Sequence, residues 1–169
     1  MPFMKSNGNV TSFASYQDVI DRDQRLFEVN EGLTEDVLIP ILKRTTERIL
    51  SMFRSSSWWK DYYRNRDPAT VFLTEADIPA LDANKVLDRK NDFTDLCVYQ
   101  SLAEYVLPKV ADFGSEDNAE RQKMAYYVQK VDKLFMELVK AGDWYDFDDS
   151  GTISTSEKSP GVVNLKRVR

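Results

Sequence analysis

The stretch Asp92–Val110, DFTDLCVYQSLAEYVLPKV, decides the fold. Its apolar residues recur at helical spacing and cover most of the circumference of the helix. They are Phe93, Leu96, Cys97, Tyr99, Leu102, Ala103, Val106, Leu107 and Val110. A helix that is apolar nearly all round lies buried among other elements, so we predict that this helix, opened by Asn91 or Asp92, is the central one. Pro108 is expected to bend it near its end.

Further helices are predicted from capping residues on both sides of the central helix. Ser15 and the aspartate three residues after it favour a helix over Tyr16–Arg25. Thr34 is a good N-cap for a long helix with a regular apolar stripe. Ser115 caps the last helix, and Gly142 stands where that helix is expected to stop.

The sequence therefore predicts a mainly α-helical fold, with a bundle of three to four helices over residues 15–142. An irregular connection over residues 66–92 interrupts the bundle, because this stretch holds two prolines and only short apolar runs. Within it, we expect one short strand-like piece at Val71–Leu73 and one or two helical turns. Residues 1–14 are predicted to be a flexible N-terminal arm, and residues 143–169 an acidic turn followed by an extended basic C-terminal arm.

Composition narrows the possible functions. The formal net charge is −5, which does not favour a protein that binds nucleic acid by neutralising phosphates. The chain has no histidine and one cysteine, Cys97, so zinc clusters and thiol–imidazole pairs are excluded. We expect no enzyme, since no catalytic pair can be named among the carboxylates. No apolar run is long enough for a membrane span, no secretory signal is recognised, and we expect synthesis in a reducing cytoplasm.

The stretch Ser55–Arg66, SSSWWKDYYRNR, combines aromatic and basic residues. Trp58 and Tyr62 are four residues apart, as are Trp59 and Tyr63, so each pair shares a helix face. The four side chains could anchor packing, either in a core or at a protein–protein interface, or they could stack on the bases of a single strand. Neighbouring helical residues diverge by about 100°, so we expect one of the two tryptophans to face a partner chain.

The stretch Asp146–Glu157, DFDDSGTISTSE, has the spacing of a calcium-binding loop of the helix–loop–helix type. Oxygen-bearing residues occupy positions 1, 3, 5, 7 and 12, and a glycine at position 6 provides the sharp turn. The candidate metal ligands are Asp146, Asp148, Ser150, Thr152 and Glu157.

The flanks of this loop differ from those of a calcium sensor. The preceding helix is expected to stop at Gly142, and Pro160 and Gly161 leave no room for an exiting helix. The alternative is an acidic turn whose side chains bond their own backbone without an ion. We expect that the protein requires no cofactor, and calcium is the candidate ion for the loop. If calcium binds, we expect it to bind weakly and to fix the direction in which the following segment leaves the bundle.

The segment KSPGVVNLKRVR, residues 158–169, combines β-branched and basic side chains. A short segment of this kind does not fold alone, but it can add to the sheet or the groove of a partner. The residues predicted to dock are Val162, Val163, Leu165, Lys166, Arg167, Val168 and Arg169. The alternative is a solvated end without a partner.

Three segments together resemble the head–tail connector proteins of tailed bacteriophages, also called adaptor, head-completion or neck proteins. These segments are RTTERILSMF at residues 44–53, the central helix at residues 92–110, and WYDFDDSGTISTSEKSPGVVNLKRVR at residues 144–169. The resemblance extends over most of residues 15–169.

The resemblance implies a structural virion protein of the neck region, made in the host cytoplasm. Copies would form a ring, commonly of twelve, beneath the portal protein and next to the tail or a further neck protein. The ring would line the channel through which DNA leaves without specific binding, and an acidic body suits that task. Such a ring needs two different patches that meet. The Trp58–Tyr63 face and the 66–92 connection are the candidates.

Two other functions remain open from the sequence. One is a soluble calcium-binding protein that uses the loop at residues 146–157. The other is a single-strand nucleic-acid binder that uses Trp58, Trp59, Tyr62 and Tyr63. Calcium titration followed by Trp144 fluorescence would test the first, and oligonucleotide binding after alanine substitution of the tryptophans would test the second.

Overall fold

The computed structural model describes residues 3–111 and 119–158, and in these the chain is mainly α-helical. The prediction of the fold class is confirmed. The elements are β1 (Met4–Ser6), β2 (Asn9–Ser12), α1 (Tyr16–Arg22), α2 (Gln24–Val29), α3 (Glu35–Ser55), α4 (Ser57–Arg66), α5 (Lys90–Ser101), α6 (Leu107–Val110) and α7 (Ala119–Ala141). Short 3₁₀ turns cover Glu75–Asp77 and Ala83–Lys85, and a π-helical turn covers Leu102–Val106.

The chain divides into two compact units. Unit 1 comprises Met1–Ile49 and Arg89–Met136, and unit 2 comprises Leu50–Asp88 and Glu137–Arg169. Each unit is described separately below. Among the residues that the structure describes, no helix combines the length and the apolar composition that a membrane span needs.

The centre of unit 1 is α5 together with the π-helical turn that follows it. The buried residues of this stretch include Phe93, Leu96, Cys97, Val98, Tyr99, Leu102, Ala103, Val106 and Leu107. The prediction of a helix buried on nearly all sides is therefore confirmed. The helix starts at Lys90, slightly before the predicted cap, because Arg89 adopts a left-handed conformation with φ 54° and turns the chain into it.

The π-helical turn ends two residues before Pro108. Proline has no N–H to donate to the carbonyl of Glu104, and its ring would clash with that carbonyl in a regular α-helix. Instead the Leu107 N–H donates to the Leu102 carbonyl, five residues back, and α6 then continues the helical path. The local irregularity expected from Pro108 thus takes the form of one wide turn.

The first residues of the chain differ from the prediction of a flexible arm over residues 1–14. The strands β1 and β2 pair antiparallel around Asn7 and Gly8, whose φ values are 51° and 83°. This is the conformation of a type I′ turn, which asparagine followed by glycine favours. The prediction for residues 4–12 is therefore wrong, and Asn7-Gly8 was the sequence signal for the hairpin.

Phe13 anchors this hairpin in the core of unit 1. Its fully buried ring packs against Phe3 and Phe93, with centroids 4.8 and 5.2 Å away. Its N–H donates to Thr46 Oγ1 at 3.0 Å, and its carbonyl accepts from Thr94 Oγ1 at 2.7 Å. Backbone groups that enter the core without a strand partner need such side-chain partners.

The capping box at the start of α1 is confirmed. The Ser15 amide donates to Asp18 Oδ2 at 2.7 Å, and the Asp18 amide donates to Ser15 Oγ at 3.3 Å. The helix ends at Arg22 rather than Arg25, because Asp23 leaves the helical path. The buried Asp23 carboxylate accepts two bonds from Lys123 Nζ, at 2.7 and 2.9 Å.

The stop of the last long helix is also as predicted. Gly142 adopts φ 57°, and its N–H donates to the Leu138 carbonyl at 3.0 Å, which is the pattern of a left-handed C-cap. The predicted cap Ser115 lies outside the described residues. The predicted 66–92 connection comprises residues 67–89 in the structure, because α4 ends at Arg66 and α5 begins at Lys90. It is irregular apart from its two 3₁₀ turns and an isolated bridge between Val86 and Tyr145, and the described segment Val71–Leu73 forms no strand.

The hairpin anchor gives a first testable outcome. Phe13→Ala should lower the free energy of unfolding by about 3–5 kcal/mol, because a fully buried aromatic ring is replaced by a cavity. Urea denaturation followed by circular dichroism measures this. Val29→Ala is the control, since that side chain is 71% exposed and its loss should cost little. Equal stabilities of the two variants would contradict the hairpin and restore a flexible arm.

Candidate functional site

An aromatic cluster forms the core of unit 2 and carries the acidic loop. Its members come from the end of α3, from α4 and from the segment after α7. They are Phe53, Trp58, Trp59, Tyr62, Trp144, Tyr145 and Phe147. All three tryptophans are buried. Aromatic side chains of this size contribute much of the apolar area that a small unit can bury.

Phe147 lies at the contact between the cluster and the loop. Its ring stacks on Tyr62 with an interplanar angle of 10°, and on Trp59 with an angle of 24° and a centroid distance of 5.2 Å. Tyr145 meets Trp59 edge to face at 90°. Since Phe147 is the second residue of the loop, the stacking fixes where the loop begins.

Backbone bonds hold the same segment on the 66–92 connection. The Leu87 N–H donates to the Trp144 carbonyl at 3.0 Å, and the Asp146 N–H donates to the Lys85 carbonyl at 2.9 Å. The Tyr145 hydroxyl accepts from the Asp82 N–H at 3.0 Å. Burial raises the pKa of this hydroxyl above its ordinary value of 10.0. The connection thus serves as the support on which the loop segment rests.

The expectation that one of the two adjacent tryptophans faces a partner chain is wrong. Trp58 and Trp59 lie in one cluster, with centroids 5.8 Å apart, because the 144–147 segment covers α4 on the side that a single core face would leave open. Trp59 Nε1 also donates to the Pro79 carbonyl at 2.7 Å. Of the predicted interface residues, Trp58, Trp59 and Tyr62 are buried and only Tyr63 is half-buried, which leaves no open ring stack for a base.

Glu157 closes the acidic loop. Its Oε1 accepts from the amides of Phe147 and Asp148 at 2.7 and 3.1 Å. Its Oε2 accepts from both the amide and the hydroxyl of Ser154, each at 2.7 Å. The side chain is almost fully buried. A single carboxylate therefore joins the beginning, the far side and the end of the loop.

Asp146 shapes the middle of the loop in the same way. Its two oxygens accept from the amides of Ser150 and Gly151, at 3.2 and 2.7 Å. Gly151 adopts φ 79°, a conformation that glycine reaches without steric cost, and Asp149 adopts φ 62° beside it. The Ser150 hydroxyl donates to the Thr152 carbonyl at 2.9 Å. The loop is thus held by hydrogen bonds between its own groups.

Three of the five predicted ligands converge. One carboxylate oxygen from each of Asp146, Asp148 and Glu157 lies within 4.8 Å of the others. Ser150 and Thr152 lie in the same turn and are bonded to each other. Carboxylate and carbonyl oxygens are the ligands that a hard cation such as calcium prefers. The described bonds to amides satisfy these groups without a cation as well, so the geometry permits a metal but does not require one.

Hydrogen bonds lower the pKa of two carboxyls of the loop, those of Glu157 and Asp148. Burial opposes the charge of Glu157, but the bonds from Ser154 and from the Asp148 and Phe147 amides outweigh it and lower the pKa of this carboxyl. The Ser150 hydroxyl and amide lower the pKa of the Asp148 carboxyl. Lys85 Nζ lies 3.5 Å from Asp149 Oδ1 and offsets part of the negative charge. The spacing of the acidic residues in the sequence indicated neither Lys85 nor the aromatic cluster that supports the loop. The signal for the cluster was the presence of three aromatic residues within positions 144–147.

Comparison with known proteins adds no relative to this description. No protein-family model, no curated protein and no solved structure matches the chain. The resemblance to phage connector proteins therefore stays a prediction from the sequence. The function has to be argued from the loop, the cluster and the charges described above.

The closing bonds of the loop predict a large effect of one substitution. Glu157→Gln should lower the free energy of unfolding by about 1–3 kcal/mol at pH 7, because buried amides lose a charged acceptor. Urea denaturation followed by tryptophan fluorescence measures this, since all three tryptophans lie in the cluster next to the loop. Glu75→Gln, in an exposed side chain of the same unit, is the matched control and should change little.

The difference in stability between the wild type and Glu157→Gln is also expected to depend on pH. The pKa of Glu157 is lower in the folded chain than its ordinary value of 4.5, so the unfolded state binds more protons below that pH. The stabilisation is fully present above pH 4.5 and is lost as the pH falls through the folded pKa. The difference between wild type and Glu157→Gln should shrink accordingly between pH 6 and pH 3. A constant difference over this range would contradict the ionised, hydrogen-bonded carboxylate.

Proposed function

We propose that the chain is a structural virion protein of the head–tail connector of a tailed bacteriophage. Copies form a ring between portal and tail and line the channel through which DNA leaves. Residues 159–169 act as a docking arm on the portal or on a neighbouring copy. The proposal rests on the resemblance of residues 44–53, 92–110 and 144–169, and on the rigid mount that the loop provides.

The observation that carries the proposal is the closed loop directly before the basic segment. Glu157 is fixed by four bonds, and the loop is stacked through Phe147 on a buried cluster. The chain is therefore held in one direction up to residue 158. A segment that leaves a rigid mount loses less freedom on binding than one that leaves a mobile loop, which favours docking. The arm itself lies outside the described residues and stays a prediction.

Charge supports the same reading. Residues 159–169 carry Lys166, Arg167 and Arg169 and no acid, so their formal charge is +3. The rest of the chain, residues 1–158, then carries −8, because the whole chain carries −5. An acidic wall repels the phosphates of passing DNA, whereas a basic arm attracts an acidic surface of a partner. These two properties suit a connector that must grip protein and release DNA.

Calcium binding is the second candidate, favoured by the three carboxylates that converge within 4.8 Å. Calcium should raise the melting temperature of the wild type more than magnesium does, because the loop spacing suits the larger ion. Glu157→Gln should lose this difference. Differential scanning fluorimetry with each ion at equal concentration measures it. Equal shifts for the two ions would leave the loop as an ion-independent turn.

The docking arm gives the main test of the connector proposal. A chain truncated after Lys158 should keep its helical circular dichroism and its melting temperature, because its core and loop bonds are intact. It should fail to join the portal assembly in a co-sedimentation assay. The full-length triple variant Lys166→Glu, Arg167→Glu, Arg169→Glu is the matched control for length and should fail as well if charge drives docking. Normal assembly of the truncated chain would overturn the arm.

A further inference from the structure

The tip of the N-terminal hairpin in unit 1 places an asparagine and a glycine in an open turn. Asn7 and Gly8 are both exposed, with φ values of 51° and 83°. Within the part of the chain that the structure describes, no group is hydrogen-bonded to the Asn7 side chain. A Cβ atom placed on Gly8 would meet no atom within 4 Å beyond its chain neighbours. Water therefore reaches both the Asn7 carboxamide and the backbone of Gly8.

Gly8 makes Asn7 different from the other asparagines of the sequence. Each of the others precedes a residue with a side chain, as Asn9 precedes Val10. A glycine leaves its own backbone nitrogen uncovered and allows the chain the widest range of conformations. The turn also leaves this nitrogen available, because the bond that closes a turn of this type joins its first and last residues, here Ser6 and Asn9.

We propose that Asn7 is a site of spontaneous deamidation in the folded chain. The Gly8 backbone nitrogen attacks the side-chain carbonyl carbon of Asn7 and forms a new C–N bond. The carboxamide C–N bond breaks, and ammonia leaves with the proton that the Gly8 nitrogen gives up through water. A second water molecule then opens the resulting cyclic imide. The net reaction replaces NH₂ by OH at the cost of one water molecule and needs neither an oxidant nor a reductant.

The imide can open in two ways, and the two products affect the hairpin differently. Opening at the side-chain carbonyl gives aspartate at position 7, and Asp-Gly favours the same type I′ turn as Asn-Gly. Opening at the backbone carbonyl gives isoaspartate, in which the chain continues through the side chain and gains a methylene group. A two-residue turn that is lengthened in this way no longer matches the pairing of Ser6 with Asn9.

Isoaspartate at position 7 should release β1, because this strand has few other contacts to hold it. The Thr11 hydroxyl donates to the Met4 carbonyl at 3.3 Å, and the Phe3 ring packs on Phe13. A two-stranded hairpin with so short a pairing is marginally stable without its turn. Phe13 keeps its own bonds to α3 and α5, so the core of unit 1 stays closed when β1 is released.

Peptide mapping of the full-length chain tests the site, before and after incubation in warm, mildly alkaline buffer. The tryptic peptide over residues 6–22 contains both Asn7 and Asn9, so fragment masses assign the modified residue. Asn7 should accumulate roughly tenfold more product than Asn9, because the β-branched Val10 crowds the nitrogen after Asn9. Circular dichroism during the incubation verifies that the chain stays folded.

Asn7→Gly is the matched control for the mapping experiment. Gly-Gly supports the same turn but has no carboxamide, so position 7 should not change in mass. Equal modification of Asn7 and Asn9, or no modification of Asn7 while the chain is folded, would overturn the proposed site.

Hydrogen exchange tests the different effects of the two products. The aspartate and isoaspartate forms are separated by chromatography and compared with the unmodified chain and with Asn7→Asp. The amides of β1 and β2 should exchange at the wild-type rate in the aspartate form and roughly tenfold faster in the isoaspartate form, because only the latter loses the strand pairing. The Phe13 amide should stay protected in both. Equal exchange of the strand amides in the two forms would refute the release of β1.

Discussion

The stacking of Phe147 on Tyr62 and Trp59 is the contact on which the position of the acidic loop in unit 2 depends. Its half-buried ring packs on the buried cluster, and its amide donates to Glu157, so one residue joins the core to the loop. The part of the ring that is removed from water contributes favourable free energy, and the carboxylate fixes the path of the loop backbone. Without the ring the loop would be attached only by polar contacts with the 66–92 connection, such as the bond from the Asp146 N–H to the Lys85 carbonyl. Without the carboxylate the beginning and the end of the loop would lose the bonds that join them.

The centre of unit 1 was predictable because its signal is local. A helix that is apolar on nearly every side, as Asp92–Val110 is, has few places to go except the interior. The capping box of Ser15 and the stop at Gly142 are local for the same reason. The hairpin was missed because the position of Phe13 is decided by Phe93 and Thr46, which are distant in sequence. Only the asparagine–glycine pair at its turn was readable in advance.

The candidate site shows the same division. The spacing in the sequence was enough to predict that Asp146, Asp148 and Glu157 converge, because a twelve-residue loop of this kind turns at its glycine and brings its two ends together. It did not reveal that the carboxylates bond amides of their own loop. The argument that two adjacent tryptophans diverge assumed one packing surface against α4. The second packing surface is formed by residues 144–147, and the sequence of α4 contains no signal that predicts it. Function is harder to predict from the sequence than the fold or the site, because it depends on surfaces that bind other chains.

The π-helical turn at Leu102–Val106 makes the length of the central stretch as important as its composition. Such a turn contains one residue more than an α-helical turn, and each residue rotates the following chain by about 100°. Leu107 is completely buried after this rotation, whereas Pro108 is only half-buried. A single-residue deletion within the turn would rotate α6 so that its hydrophobic side no longer matched the interior, even if every remaining amino acid were retained. Related chains that keep the proline should therefore also keep the number of residues between it and the helix before it.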